Sequence, residues 1–430
     1  MRAFLLVALA IVCGLAPPAR AQLTLRGNYW RDRNTRVLAP DAELSKELPS
    51  GTIVTAGYLL DAITSASASA GVTSDQPFTE LRNQIHFAVT QRIGNFTLGG
   101  SYRYSTESDY WAHVFGLNAG GELNEKNTLL NASLFYTHAD VGARSGPTSY
   151  TPVGRLESKL LLLSASQILT RHLVVDGLVE LADEGGDDNI DAAYCGDPNH
   201  PDHKSERQCL PEFLSNPYRT VILDASPVRE QEPGERKRLS ITGLARYSIM
   251  RPGAFDYIVF AGKYRFYADD WGVVSHAPEL RTYVGVGPLE FRLTGRYYTQ
   301  SAADFFKFNT AQDKPFYFSP TSAHVTDAFK SVEAQCWKNG ALEAVGADVG
   351  CTGGRIVYSG DAKVSAFSSS FLELRVQVKL GFLDVPWLPL GHWLGDGLLA
   401  ISYGHYFTSA YAFVQYGNAE VGGLEMIFPL

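Results

Sequence analysis

The segment from Phe371 to Phe382 constrains the fold of this chain more than any other. Leu372, Leu374, Val376, Val378, Leu380 and Phe382 alternate with Glu373, Arg375, Gln377 and Lys379. Successive side chains of a β-strand point to opposite faces, so one face here is wholly apolar and the other wholly polar. A helix would scatter both sets around its circumference. One such strand also suits a soluble sheet lying over a core. Only repetition separates the two cases.

The pattern repeats. Leu289, Phe291, Leu293 and Tyr297 oppose Glu290, Arg292, Thr294 and Arg296. Ile85, Phe87 and Val89 oppose Gln84, His86 and Thr90, with Glu80 and Arg82 extending the polar face. Phe96, Leu98, Tyr102 and Tyr104 oppose Thr97, Ser101 and Arg103, and Leu130, Ala132, Leu134 and Tyr136 oppose Asn131, Ser133 and Thr137. Dyad segments of about 10 residues separated by turns are the signature of a transmembrane barrel. In lipid every backbone polar group must pair internally, and a closed sheet is the non-helical way to do so. The expectation is an all-β fold, a transmembrane antiparallel up-and-down β-barrel of about 14 strands, with about 12 or 16 as alternatives. The first strand is expected near 52–60 and the last near 417–428.

Connection lengths alternate as well. Short ones fall at Gly94-Asn95, Asn124 to Asn127, Thr170-Arg171, Arg251 to Gly253 and Gly287-Pro288. Longer excursions lie near 139–154, 183–237 and 301–357, and short periplasmic turns with long extracellular loops are the habit of outer-membrane barrels. Tyr297, Tyr298, Trp387, Trp393, Tyr403, Tyr406 and Tyr411 fall near expected strand ends, where aromatic girdles belong. Leu424, Met426 and Phe428 alternate into a near-terminal aromatic similar to the strand signal read by barrel assembly machinery, with Pro429-Leu430 following it.

The N-terminus has its own logic. Arg2, the apolar run Phe4 to Leu15 and Ala19-Arg20-Ala21 read as a secretory signal over residues 1–21. The apolar run is too short to span a bilayer, and Cys13 lacks a lipobox before it. Residues 22–50 precede the first expected strand and carry mixed charge, which makes them a candidate periplasmic or lumenal plug. Residues 51–430 would then form the barrel, in contact with outer-membrane lipid. No later segment offers a long uncharged apolar run, which excludes transmembrane helices. The net charge is −8 without a clustered basic stripe, which gives no reason to expect nucleic-acid binding.

A series of short motifs runs from Asp61-Ala-Ile-Thr-Ser-Ala-Ser67, Glu80-x-Arg82 and Ser105-x-Glu107-x-Asp109-Tyr110 to Asn216-Pro-Tyr-Arg219. It continues through Glu232-Pro-Gly-Glu-Arg236, Tyr267-x-Asp269-Asp270-Trp271 and Arg296-Tyr-Tyr-x-Gln-Ser301. On these motifs the chain resembles a domain-of-unknown-function family of predicted bacterial outer-membrane barrels. Thr64 stands where Ser is expected. The resemblance covers nearly the whole chain after the signal and implies location and fold only.

Candidate chemistry follows from the polar face. If it lines a lumen, that lumen holds Glu80, Arg82, Arg103, Glu290, Arg292, Arg296, Glu373, Arg375 and Lys379. Such charges either pair across strands and stiffen the wall or filter solutes in a polar pore. Cys195, Cys209, Cys336 and Cys351 fall as two local pairs in an exported chain, which favours Cys195–Cys209 and Cys336–Cys351 disulfides over a four-thiol metal site. Each would close a loop of about 15 residues, worth ~3 kcal/mol against the unfolded chain. Asp187, Asn189 and Asp191 offer alternate oxygens to Ca²⁺, against the plainer reading of a solvated acidic loop. Ala192 and Pro198 stand where an EF-hand needs Gly and Glu. No other cofactor is expected. His138, Asp140, Ser275 and His276 lie near expected strand ends, yet no nucleophile, base and orienting group form a recognisable triplet. The leading expectation is therefore a non-enzymatic passive or gated conduit for a polar solute. A plugged structural or surface-interaction barrel is the second reading, and an outer-membrane hydrolase the third.

Overall fold

A computed structural model of the chain describes residues 21–32, 35–65, 78–107, 110–144, 150–186, 233–306, 364–383, 395–408 and 418–429. Short pieces at 220–223, 226–229, 308–309, 314–315, 335–338, 341–344 and 355–357 are described too. The first half of the wall comprises β1 (Ala21–Arg31), β2 (Thr35–Glu47), β3 (Thr52–Ser65), β4 (Phe78–Ile93) and β5 (Phe96–Thr106). After these come β6 (Tyr110–Leu123), β7 (Thr128–Arg144), β8 (Tyr150–Thr170) and β9 (Leu173–Gly186). The second half is β10 (Glu235–Met250), β11 (Tyr257–Asp269), β12 (Val274–Val286), β13 (Leu289–Gln300), β14 (Phe367–Lys379), β15 (Leu398–Thr408) and β16 (Ala419–Pro429). Each strand pairs antiparallel with its neighbours in sequence, and β1 pairs with β16 to close the barrel.

The short turns gather at one end, which also holds the start of β1 and the finish of β16. Gly94 and Gly287 sit at φ +60° and +55° as first residues of two-residue hairpin loops. That position of a type II′ turn needs positive φ, and Pro288 suits the next one. Asn124, Glu125 and Lys126 are all left-handed at φ 49°, 54° and 69°. The segments 187–234 and 301–366 leave from the opposite end.

Three expectations are corrected. The barrel has sixteen strands, the higher alternative. The additional pair arises because residues 22–50 supply β1 and β2 of the wall and are not a plug. Part of the mixed charge that marked them as a plug is the inner face of an ordinary alternation: Thr24, Arg26 and Asn28 face in with Asp41 and Glu43 of β2, while Leu23, Leu25 and Tyr29 face out. The expected 139–154 loop is mostly strand, because β7 runs on to Arg144 and β8 starts at Tyr150. Adding two strands at the start leaves the parity of every later strand unchanged.

The register divides each strand into an outer and an inner face. Directly paired residues share a face, so the inner set follows from pair to pair around the sheet: Arg292 to Arg375, Arg375 to Ser402, Ser402 to Gly423 and Gly423 to Asn28. Through the middle of the wall the outer set is apolar. Leu98, Leu117, Leu280, Leu374 and Ile401 are all more than half exposed. In water such an exterior would be an aggregation surface, whereas in a bilayer it is the solvated state. A compact apolar cluster lies outside the belt, where Trp271, Val273, Ala303, Phe305 and Val364 pack at the long-loop end.

Candidate functional site in the barrel lumen

Sixteen strands enclose more space than their side chains fill, so inward residues meet water as well as one another. All nine charged candidates named from the sequence lie on the inner face by register. Most are engaged. Arg375 bonds Glu425, which also accepts Arg26 Nε at 3.1 Å, and Arg26 Nη1 reaches Asp41 at 3.2 Å. This relay runs from β14 across the closing seam to β2. Arg292 donates to Glu373 at 2.5 Å, and Tyr257 donates to Glu290. Arg296 stands opposite Glu279 but donates to the Tyr406 hydroxyl at 2.8 Å, with its guanidinium 5.4 Å from both the Phe371 and Tyr406 rings. Tyr298 and Tyr406, expected in an aromatic girdle, therefore belong to the lumen.

Among the described residues, Arg103, Lys263 and Lys379 face the lumen without an ion-pair partner. Arg103 sits opposite His86 on β4, whose Nε2 lies 3.2 Å from Glu43 on β2. Gly57 stands between those two in the row. A Cβ there would come within 2.1 Å of the imidazole, so only glycine lets His86 cross β3 to Glu43.

The lumen is two-sided. On β6, β7 and β8 the inward positions include Ala112, Val114, Gly116, Asn118, Ser133, Phe135, Leu160 and Leu162. Charged pairs resume at β9, where Glu180 meets Arg265 at 2.9 Å and Glu184 meets Arg238. An uncharged, partly apolar arc thus faces a wall of alternating charge.

Two clusters at the long-loop end collect residues that are remote in sequence. The Asp269 carboxylate, fully buried, accepts Arg236 through Nε at 3.1 Å and Nη2 at 2.6 Å, and Tyr267 at 2.6 Å. Its other oxygen accepts the backbone N–H groups of Trp271 and Val273 at 3.1 and 2.9 Å. Arg236 stacks 4.2 Å over the Trp271 ring, and that indole donates to the Glu235 carbonyl. Both roots of the 301–366 segment are tied here. Asp304 N–H donates to Trp271, Ala303 N–H to Val364, and Gln300 Nε2 to Ser365. The second cluster joins Asp61 to Arg82, with Glu107 3.8 Å from the same guanidinium. The short motifs quoted above supply Arg236, Tyr267, Asp269, Trp271, Gln300 and Ser301 to the first cluster and Asp61, Arg82 and Glu107 to the second.

The hydrolase candidates do not converge. Ser275 is buried on the inner face while His276 turns outward to the Tyr264 hydroxyl at 2.6 Å. His138 and Asp140 face outward on β7. Asp187, Asn189, Asp191, Cys195, Cys209 and Cys351 lie outside the described residues, as do Trp387, Trp393, Tyr411 and residues 1–20 of the expected signal. Cys336 falls in the strand Gln335–Lys338, which pairs with Ala341–Ala344 and Arg355–Val357. Sequence reading passed over Arg26, Asp41, Glu425 and Asp61 as inward groups, although the alternation around Arg26 and Glu425 could have marked them.

An even-numbered closed antiparallel barrel with an apolar exterior and its short turns at one end is the architecture of a bacterial outer-membrane protein, and that membrane is where this chain resides. Its structure is similar to a bacterial polysaccharide outer membrane secretin, at 7% identity over 95% of this chain and 98% of that one, with a TM-score of 0.48. It is also similar to CdiB from Acinetobacter baumannii, at 8% identity and a TM-score of 0.47, over 95% of this chain but only 60% of that chain. A BenF-like porin from Pseudomonas fluorescens Pf-5 matches at 12% identity over 97% of this chain and 100% of the porin, with a TM-score of 0.41. No curated protein matches the sequence. The family model described as protein of unknown function (DUF3570) matches residues 65–381, and the chain belongs to that family.

Proposed function

We propose that the barrel is a non-enzymatic conduit through which small polar solutes cross the outer membrane. The observation that supports this reading best is the inner face. Its charged arc runs from β9 through the closing seam to β5, belongs to a sixteen-strand wall, and carries Arg103 and Lys379 as cations without ion-pair partners among the described residues. Ion pairs such as Arg292–Glu373 stiffen the wall without adding net charge, which leaves the lone cations to bias permeation. The accompanying parts of the reading are an export signal over residues 1–21, assembly by the barrel machinery, and Cys195–Cys209 and Cys336–Cys351 bridges in the extracellular segments.

Arg375 serves poorly as a selectivity probe, because it holds Glu425 and through it the seam. The test is conductance of the purified barrel in planar bilayers, compared with an Arg103→Glu/Lys379→Glu variant. Open channels whose ion preference moves towards cations in the variant are expected. A barrel that folds but never conducts ends the conduit reading.

A further inference from the structure

The inner face gathers aromatic rings at one place that ion pairing does not explain. Phe371 of β14 and Tyr406 of β15 are direct partners, with ring centroids 4.3 Å apart and planes inclined by 32°. Trp30 of β1 continues the patch across the closing seam, 5.2 Å from Tyr406. Gly404 of β15 makes room for it, since a Cβ there would stand 2.7 Å from the Phe371 ring. The missing side chain lets that ring lie down along the wall. All three rings are half-buried, which leaves part of each to the water-filled interior.

The same row carries surplus positive charge. It runs from Lys263 through Glu279 and Arg296 to Phe371 and Tyr406. Glu279 stands opposite Arg296 but binds Arg281 at 2.6 Å. Arg296 gives one N–H to the Tyr406 hydroxyl and lies against the two rings, and among the described residues no carboxylate holds it. An arginine that only stiffens the wall ends on a carboxylate, as Arg292 and Arg265 do. Lys263 has no ion-pair partner among the described residues either. The other inward acids nearby are taken: Glu373 by Arg292, Asp269 by Arg236, and Glu425 by Arg375 and Arg26. Lys263, Arg281 and Arg296 against Glu279 leave two positive charges uncompensated beside the rings.

We propose that this patch binds carboxylates that carry a flat ring and that these are solutes the lumen admits, which rests on the conduit reading above. The carboxylate accepts the remaining N–H groups of Arg296, and the ring stacks on Phe371 and Tyr406 with Trp30 at its edge. Inorganic phosphate or acetate would leave the rings uncovered. A neutral sugar would leave the guanidinium unanswered, and a cation would meet the surplus charge.

The test titrates the full mature chain, folded in detergent micelles, with cinnamate, cinnamyl alcohol and acetate by calorimetry. Cinnamate should bind more tightly than either comparator. Arg296→Met should weaken cinnamate about tenfold and leave the alcohol unchanged. Gly404→Ala touches no ligand but displaces the Phe371 ring, and should weaken cinnamate about fivefold. Heat-modifiable migration checks that each variant is folded. In planar bilayers cinnamate should reduce the salt current through the wild-type barrel, and Arg296→Met should need about tenfold more of it. Equal affinity for cinnamate and its alcohol, or unchanged binding by Arg296→Met, overturns the site. A barrel that conducts but neither binds cinnamate nor is blocked by it also overturns the site, while the conduit reading stands. A barrel that binds cinnamate and never conducts ends the conduit reading and, with it, the assignment of these carboxylates as solutes.

Discussion

Replacing Glu425 with Gln probes the barrel at its closing seam. Glu425 lies on β16 and is held by Arg26 of β1 and Arg375 of β14, while Arg26 continues to Asp41 of β2. Hydrogen bonds to charged groups contribute about 1.5–3 kcal/mol each when well buried. Here the side chains are 20–38% exposed to the water-filled interior, so ~1 kcal/mol for each contact is the better figure. The Gln amide keeps one acceptor but no charge. It also leaves two guanidinium groups facing each other, which costs several tenths of a kcal/mol more at the separation one carboxylate spans. Glu425→Gln should therefore destabilise the folded barrel by about 2 kcal/mol. Urea titration in phosphatidylcholine vesicles, followed by tryptophan fluorescence, should show a lower midpoint at unchanged slope. Combining it with Arg375→Met removes the stranded cation, so the pair should cost less than the two single changes added together, by at least ~0.5 kcal/mol. A wild-type midpoint for Glu425→Gln, or strict additivity in the double variant, refutes a seam held by this carboxylate.

Other perturbations test the remaining structure. Asp269→Asn removes the charge that holds Arg236 and keeps the shape, so it should loosen the roots of the 301–366 segment and speed proteolysis there while the barrel remains heat-modifiable; an unchanged digestion rate counts against the latch. Gly287→Val places a β-branched residue at φ +55° and should cost about 1–3 kcal/mol in urea unfolding, whereas Gly287→Asn should cost much less. Peptide mapping without reduction should recover Cys195 with Cys209 and Cys336 with Cys351, and crossed pairs would contradict the assignment. Protection of the segment around Asp187, Asn189 and Asp191 from protease by added Ca²⁺ tests the oxygen-rich site there; identical digestion with chelator leaves only the solvated loop.

Strands with unbroken alternation were legible from the sequence. Phe371 to Lys379 and Leu289 to Tyr297 occupy β14 and β13 with the faces expected of them. The weaker strands were obscured for physical reasons. On β6 the inward positions Gly116 and Gly120 carry no side chain, because Phe135 and Asn131 of β7 lean over them, and so the dyad fades. On β2 the inward charges and Pro40 resemble a loop until their partners are known. The charged candidates share one face of the paired strands, as their period of two implies. Which of them remain unpaired was not legible, since that depends on register between strands far apart in the chain, as Arg26 and Glu425 illustrate.

That same pairing has a kinetic meaning. All of the wall from β2 to β16 can form between sequence neighbours, hairpin after hairpin, at low cost in loop closure. The β1–β16 ladder alone joins the two extremes, with Arg26 and Glu425 399 positions apart in sequence. Until it forms, the sheet presents two raw edges whose N–H and C=O groups have no partners and invite pairing with any other open strand. The charge relay on β14, β16, β1 and β2 lies at that last joint. An Arg–Glu–Arg match there rewards the correct meeting of the two edges in the final step, whereas a shift of two residues would set Arg26 opposite Gly423 or Ile427 and forfeit the pairing. The seam should accordingly be the part of the barrel whose formation limits the rate of assembly.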